Sequence, residues 1–144
     1  MRARLPLLVS LVAMLTGTAL AAQSVVTPPP GSAERKALID LLRPRVEAQI
    51  GFPVVFVVET LNVSGDWAFA VVEPRRVGGE HIAVPETRLS KARPIDAIDG
   101  LRTEAVFHKT GGRWRLSQYA IGATDLWYEP YCRTAPKGLI PVCG

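Results

Sequence analysis

Residues 52–74 of the 144-residue chain read FPVVFVVETLNVSGDWAFAVVEP, and this stretch constrains the fold more than any other. It holds two apolar runs rich in β-branched and aromatic residues, separated by the turn residues Ser64, Gly65 and Asp66. Such runs favour β-strands that are covered on at least one face. The stretch therefore predicts an antiparallel hairpin on which the rest of the domain is built.

A helix is predicted before this hairpin, over residues 32–50. Ser32 can serve as its N-cap, and apolar residues recur along it at about every fourth position, which gives one stripe to pack on a sheet. Pro44 lies inside the segment and removes one backbone hydrogen bond, so we expect either a kink at this point or two short helices.

A second hairpin is predicted over residues 101–121, where alternating strands flank the two-residue turn signal of Gly111 and Gly112. The predicted class is α+β, with a kinked N-terminal helix packed on a curved antiparallel sheet of two hairpins, four or more strands in all. We expect the helix to cover the sheet face that carries the largest aromatic side chains. These are Trp67, Phe69, Phe107 and Trp114.

The first 21 residues have the pattern of a secretory signal peptide, with a short basic end, an apolar stretch and small residues at positions 19 and 21. We predict cleavage after Ala21, a Pro-rich tether over residues 22–32 and a single domain over residues 33–144. This organisation predicts a periplasmic or secreted protein that has no membrane span after cleavage.

The only two cysteines, Cys132 and Cys143, lie near the C-terminus. In an oxidising compartment, an even pair at this spacing is typical of a disulfide. We predict that this disulfide closes a loop and holds down a C-terminal segment that contains Pro and Gly and has no core of its own.

The charge and motif content exclude several classes of function. The full chain has a net charge of +4, and removal of the signal peptide would leave about +2. This weak, dispersed charge lacks the cluster of Lys and Arg that marks a nucleic-acid partner. The sequence has no Gly-x-Ser-x-Gly element and no Gly-rich phosphate loop. His81 and His108 are the only histidines, too few for a zinc site, so we expect no metal and no cofactor.

Seven residues are candidates for contact with a ligand, and each also has a purely structural interpretation. They are Asp66, Trp67, Arg75, Arg76, His108, Trp127 and Tyr128. Asp66 can bond to the backbone of its own turn, and the two arginines can be solvated loop charges or can bind an anionic group. Trp127 and Tyr128, together with Tyr131 beside the disulfide, can pack under the C-terminal segment or form the rim of a pocket.

Six short segments between residues 34 and 143 carry a resemblance to known proteins. They are Glu34-Arg35-Lys36-Ala37, Leu42-Arg43-Pro44, Gly65-Asp66-Trp67-Ala68-Phe69, Gly112-Arg113-Trp114-Arg115, Ile121-Gly122-Ala123-Thr124-Asp125 and Gly138-Leu139-Ile140-Pro141. In these segments the chain resembles a group of small exported proteobacterial proteins of unknown function. That resemblance implies a bacterial, periplasmic setting and supplies no catalytic residues. The order of one helix and two hairpins resembles the cystatin-like and nuclear-transport-factor-like folds.

Two functions are predicted on these grounds. The first is a non-enzymatic binding or interaction domain, which would take an exported protein, a peptide or a small molecule at the concave sheet face or at an uncovered strand edge. The alternative is a small enzyme on a nuclear-transport-factor-like fold, with a pocket that pairs His81 or His108 with Asp66 or Asp99. The lack of a recognisable catalytic set in the sequence favours the first.

Overall fold

The structure is a computed structural model that describes residues 23–143. Its regular elements are one long helix, α1 (Ala33–Ile50), and four strands, β1 (Val55–Ser64), β2 (Trp67–Arg75), β3 (Thr103–Thr110) and β4 (Arg113–Ile121). Short helical turns lie between β2 and β3 and after β4, at Val84–Glu86, Leu89–Ala92, Ile95–Ala97, Glu129–Arg133 and Pro141–Cys143. The predicted signal peptide lies outside the described residues.

Both ends of α1 are fixed by local capping. The hydroxyl oxygen of Ser32 accepts a hydrogen bond from the amide of Arg35 at 3.3 Å, as predicted for an N-cap. At the other end Gly51 takes a left-handed φ of 104°, and its amide donates to the carbonyl of Glu47. Pro44 lies on the exposed side, and the helix continues through it. The alternative of two short helices is therefore wrong, and the kink stays a prediction.

The four strands form one antiparallel sheet in the order β1-β2-β3-β4. Gly65 and Asp66 turn the first hairpin, and Gly111 and Gly112 turn the second with φ values of 58° and 73°. Two register shifts interrupt the pairing, one in β1 at Glu59 and one between β3 and β4 after Val106. The predicted α+β class with two hairpins is confirmed.

Each face of the sheet is covered by a different part of the chain. The helix α1 packs on one face through the buried side chains of Leu38, Leu42, Val46 and Ile50. The C-terminal segment packs on the other face, where a second group of buried side chains forms. This group consists of Phe69, Val71, Val106, Tyr128, Leu139 and Ile140. The predicted disulfide is confirmed between Cys132 and Cys143, whose Cα atoms are 5.4 Å apart.

The helix covers the opposite face of β2 from the one predicted. Ala68, Ala70 and Val72 point toward α1 and are fully buried, whereas Phe69 packs under the C-terminal segment. Phe107 lies on the helix side because β2 and β3 pair Ala68 with Phe107, and directly paired residues share a face. The prediction that Trp67, Phe69, Phe107 and Trp114 share one face is wrong, because small β2 residues leave room for the bulky Phe107 beneath the helix.

No helix among residues 23–143 is long and apolar enough to cross a membrane.

Candidate functional site

The structure brings four of the predicted ligand-contact residues into one aromatic group on the second face, namely Trp67, His108, Trp127 and Tyr128. The ring centroids of Trp67 and His108 are 4.3 Å apart, and Tyr131 meets Trp67 edge-on at 6.1 Å. Trp127 meets Tyr131 edge-on at 6.4 Å. Tyr131 lies next to Cys132, where the disulfide loop begins, and it packs beside the second group of buried side chains.

Two aromatic residues of the C-terminal segment are held on the sheet by contacts with β2 and β3. The indole Nε1 of Trp127 donates to Glu104 Oε2 at 3.0 Å, and Tyr128 is 6 % exposed and meets Phe69 edge-on. Burial raises the pKa of the Tyr128 hydroxyl, and the nearby negative charge of Glu104 raises it further. These contacts fix the C-terminal segment on the sheet and leave Tyr128 little surface for a ligand.

The remaining predicted residues lie apart from one another. Asp66 is exposed at the tip of the first hairpin, where its carbonyl accepts from the amide of Lys109 at 2.7 Å. Arg75 and Arg76 lie at the other end of β2, and the Arg76 guanidinium is 4.7 Å from the ring centroid of Phe52. The structure thus separates the two arginines from the aromatic group by the length of a strand.

The two histidines do not meet. His81 is exposed in the loop after β2, whereas His108 is on β3 against Trp67. In the part of the chain that the structure describes, neither histidine makes a hydrogen bond or an ion pair with a carboxylate. Asp99 also lies in a loop, where its amide donates to the carbonyl of Gly122 at 3.0 Å.

A different feature, the outer edge of β1, has the properties of a binding site. Val26, in the segment predicted as a tether, forms an isolated antiparallel bridge with Val63, and each amide donates to the other carbonyl at 2.8 Å. From Val55 to Leu61, no other segment within residues 23–143 bonds to the backbone of this edge. Because β1 pairs with β2 on its other side only, alternate main-chain groups along this stretch are free to pair.

From Val55 to Val58 the side chains along this edge are apolar on both faces. Val55 and Val57 are 36 % and 49 % exposed on the face away from α1. Phe56 and Val58 are half-buried against the helix-side core. Between them and α1 runs an open groove of about 390 Å³. Its lining comprises Gly31, Ser32, Arg35, Lys36, Ile39, Asp40, Arg43, Phe56 and Val58.

The opposite edge of the sheet differs in character. The exposed residues of β4 are polar or charged and include Arg113, Arg115, Ser117 and Gln118. Natural proteins use such residues to keep an edge strand from pairing with another chain. The apolar edge of β1 lacks this protection over most of its length, which makes it the stronger candidate for strand pairing.

Charged side chains cluster around Glu59 of β1, on the face away from α1. Arg102 pairs with Glu59 at 3.2 Å and with Glu104 at 2.7 Å. Burial raises the pKa of the Glu73 carboxyl, whereas the nearby Arg75 acts in the opposite direction. Since Arg102 engages Glu59, the one carboxylate on the edge of β1 is already paired.

The resemblances inferred from the sequence stay predictions. Comparison with known proteins found no family model, no curated protein and no solved structure that matches the chain. The open edge of β1, with its exposed valines and its groove, therefore carries the functional argument.

Proposed function

We propose that the protein is a non-enzymatic, periplasmic binding domain that takes an extended peptide segment of another exported chain as an added strand beside β1. The observation that carries this proposal is the outer edge from Val55 to Leu61, which has no main-chain partner in the described residues. In strand addition, main-chain hydrogen bonds supply affinity and alternate side chains supply specificity.

The shape of the site suits an extended peptide better than a small molecule. The stretch from Val55 to Leu61 is about 20 Å long at roughly 3.3 Å per residue, so it matches a peptide of about seven residues. The groove beside it is open rather than enclosed and offers few groups that would surround a compact ligand. The bridge between Val26 and Val63 already shows antiparallel pairing on the same edge.

A periplasmic setting is supported by two independent features. The Cys132–Cys143 disulfide is of the kind that persists in oxidising compartments. The first 21 residues have the pattern of a secretory signal peptide. A partner that meets this domain would then be an exported chain with an extended or unpaired segment.

Pairing with a second copy through β1 would occupy the same edge, and the charge distribution disfavours it. Each groove is lined by three cations, Arg35, Lys36 and Arg43, and by one carboxylate, Asp40. A two-fold pairing of β1 strands would place two such grooves side by side, and like charges in an interface oppose association. A separate chain with a complementary charge avoids this repulsion.

The experiment uses a fluorescein-labelled heptapeptide in which Val and Asp alternate, and a copy with alternate residues N-methylated. N-methylation removes the amide donors on one side of the peptide and keeps every side chain. We expect saturable binding of the first peptide by fluorescence anisotropy, slower amide exchange in β1 between residues 55 and 61, and no binding of the N-methylated copy.

Two results would overturn this function. The first is equal binding of the N-methylated peptide, because side-chain contacts alone would then account for the affinity. The second is a stable dimer in sedimentation velocity whose β1 amides are already protected without peptide, because the edge would then be occupied by a second copy.

A further inference from the structure

We infer that the segment bound beside β1 carries acidic side chains on its face toward α1 and apolar side chains on its opposite face. This inference rests on the proposed function and specifies the chemistry of the partner. It follows from the charges that line the groove and from the residues exposed on the other side of the strand.

The groove has an excess of positive charge. Lys36 and Asp40 form an ion pair one helical turn apart, so the single lining carboxylate already has its cation. Arg35 and Arg43 have no carboxylate within ion-pair distance in residues 23–143. Two guanidinium groups on one side of the open edge therefore face the space that an added strand would occupy.

Both arginines are held in place by neutral partners. Arg43 donates from Nη1 to the carbonyl of Val54 at 2.6 Å, and its guanidinium is 5.2 Å from the ring centroid of Phe56. Arg35 donates from Nη1 to the carbonyl of Pro28 at 3.3 Å. A guanidinium has five N–H donors, so each arginine keeps several for a carboxylate. Because the side chains are already ordered, binding an acid costs little further rotamer entropy.

Within the described residues, the two other acids of α1, Glu34 and Glu47, form no ion pair with Arg35 or Arg43. Glu34 Oε1 instead lies 3.4 Å from Lys109 Nζ. Glu47 lies one turn beyond Arg43, and its Oε1 accepts from the amide of Val54 at 3.0 Å. Glu47 is outside the lining of the groove. The α1 side of the edge thus favours acidic groups, with Ile39 and Phe56 available to contact their methylene carbons.

The side of the edge that faces away from α1 favours apolar groups. Val55 and Val57 are exposed there, and Glu59 is engaged by Arg102. Side chains of an extended strand alternate between the two faces. An added strand with an acid at every second position and an aliphatic residue between would satisfy both sides along Val55–Val58, before the register shift at Glu59.

The test compares three labelled heptapeptides in which Val alternates with Asp, with Asn or with Lys. All three can pair through the main chain, and only the side chains toward α1 change. We expect the Asn peptide to bind at least about tenfold more weakly than the Asp peptide, as for the loss of one or more charge-assisted hydrogen bonds. The Lys peptide should bind more weakly still, and added salt should weaken only the Asp peptide strongly.

Variants locate the effect on the helix. Arg35→Gln and Arg43→Gln should each weaken the Asp peptide about fivefold to tenfold and leave the Asn peptide within about twofold. Arg45→Gln is the matched control, because Arg45 is exposed on the same helix but lines a depression beside β4. Thermal unfolding of each variant establishes that it remains folded.

The outcomes separate the two proposals. If the Asn peptide binds as tightly as the Asp peptide and N-methylation still abolishes binding, the acidic requirement is wrong and strand addition stands. If Arg45→Gln weakens the Asp peptide as much as Arg43→Gln does, the attraction is general and the groove assignment is wrong. If neither the Asp nor the Asn peptide binds, strand addition at β1 is wrong.

Discussion

Val26 and Val63 exchange both of their main-chain hydrogen bonds, so the segment before α1 contributes a one-residue strand to the edge of β1. Pairing cannot continue along β1, because Pro28 has no amide donor and its ring is buried where the chain leaves the edge. The same Pro28 carbonyl then holds the guanidinium of Arg35. The N-terminal segment thus closes one end of the edge and leaves the rest open.

Val26→Pro tests this bridge. The substitution removes the amide that donates to the carbonyl of Val63, so the free energy of unfolding should fall by about 1 kcal/mol. Amide exchange at Val63 should become faster, because its acceptor on residue 26 is no longer held in place. Val26→Thr keeps the donor and the β-branched shape and should behave like the wild type. Unchanged protection of Val63 in the proline variant would contradict the bridge.

The elements of this fold follow from local sequence signals. Ser32 and Gly51 mark the ends of α1, and the paired turn residues at 65–66 and 111–112 mark the hairpins. Each of these signals acts within a few residues of the backbone that it shapes. That locality is why the helix and the four strands could be predicted, whereas the disulfide was predicted from the presence of a single pair of cysteines.

The faces and the edge could not be predicted in the same way. Whether Phe107 lies with Ala68 or with Phe69 depends on the register of β2 against β3, which are separated by the long loop after Arg75. A shift of one residue moves every side chain to the other face. Which strand lies at an open edge is a property of the whole sheet, because it depends on which strand lacks a neighbour. The residues around Val57 therefore contain no local pattern that would predict it.

Gly122→Ala should destabilise the protein more than Gly111→Ala. Both glycines have left-handed φ values, 55° and 58°, so alanine is strained at either position. A Cβ at residue 122 would lie 2.4 Å from the carbonyl oxygen of Gly100, whereas a Cβ at residue 111 meets nothing within 4 Å. We expect losses of about 3 kcal/mol and about 1 kcal/mol in urea unfolding. Equal losses of unfolding free energy in the two variants would mean that the backbone at Gly100 moves easily and relieves the clash with the added Cβ.

Removal of the disulfide should loosen the layer over the second face. The double variant Cys132→Ser and Cys143→Ser should lose about 3 kcal/mol of unfolding free energy, as the chain-entropy account gives for a short loop. Its surface should bind more of an apolar dye, because Leu139 and Ile140 are then held less firmly on the sheet. Reductant should lower the urea midpoint of the wild type toward that of the variant, and it should leave the midpoint of the variant unchanged. Identical urea midpoints for the two proteins would contradict this role.

Glu73→Gln should raise stability at neutral pH and lose its effect in acid. Burial raises the pKa of Glu73 in the folded state, so folding favours the protonated form, and the charged form costs stability once the pH exceeds the folded pKa. The advantage of the glutamine should therefore grow as the pH rises above the ordinary value of 4.5, become complete above the folded pKa, and be absent below 4.5. Glu80→Gln, in the exposed loop, is the control. An advantage that grows as the pH falls would have the wrong sign.

The strand order β1-β2-β3-β4 has a consequence for the order in which the parts of the chain fold. Every neighbour in the sheet is also a neighbour in sequence, and topologies of this kind close short loops first and fold rapidly. A chain that emerges N-terminus first can complete its sheet before its last segment arrives. Until that segment docks and its disulfide forms, Phe69, Val71 and Val106 stay uncovered, so we expect the second face of the sheet to be the last part of the domain to be buried.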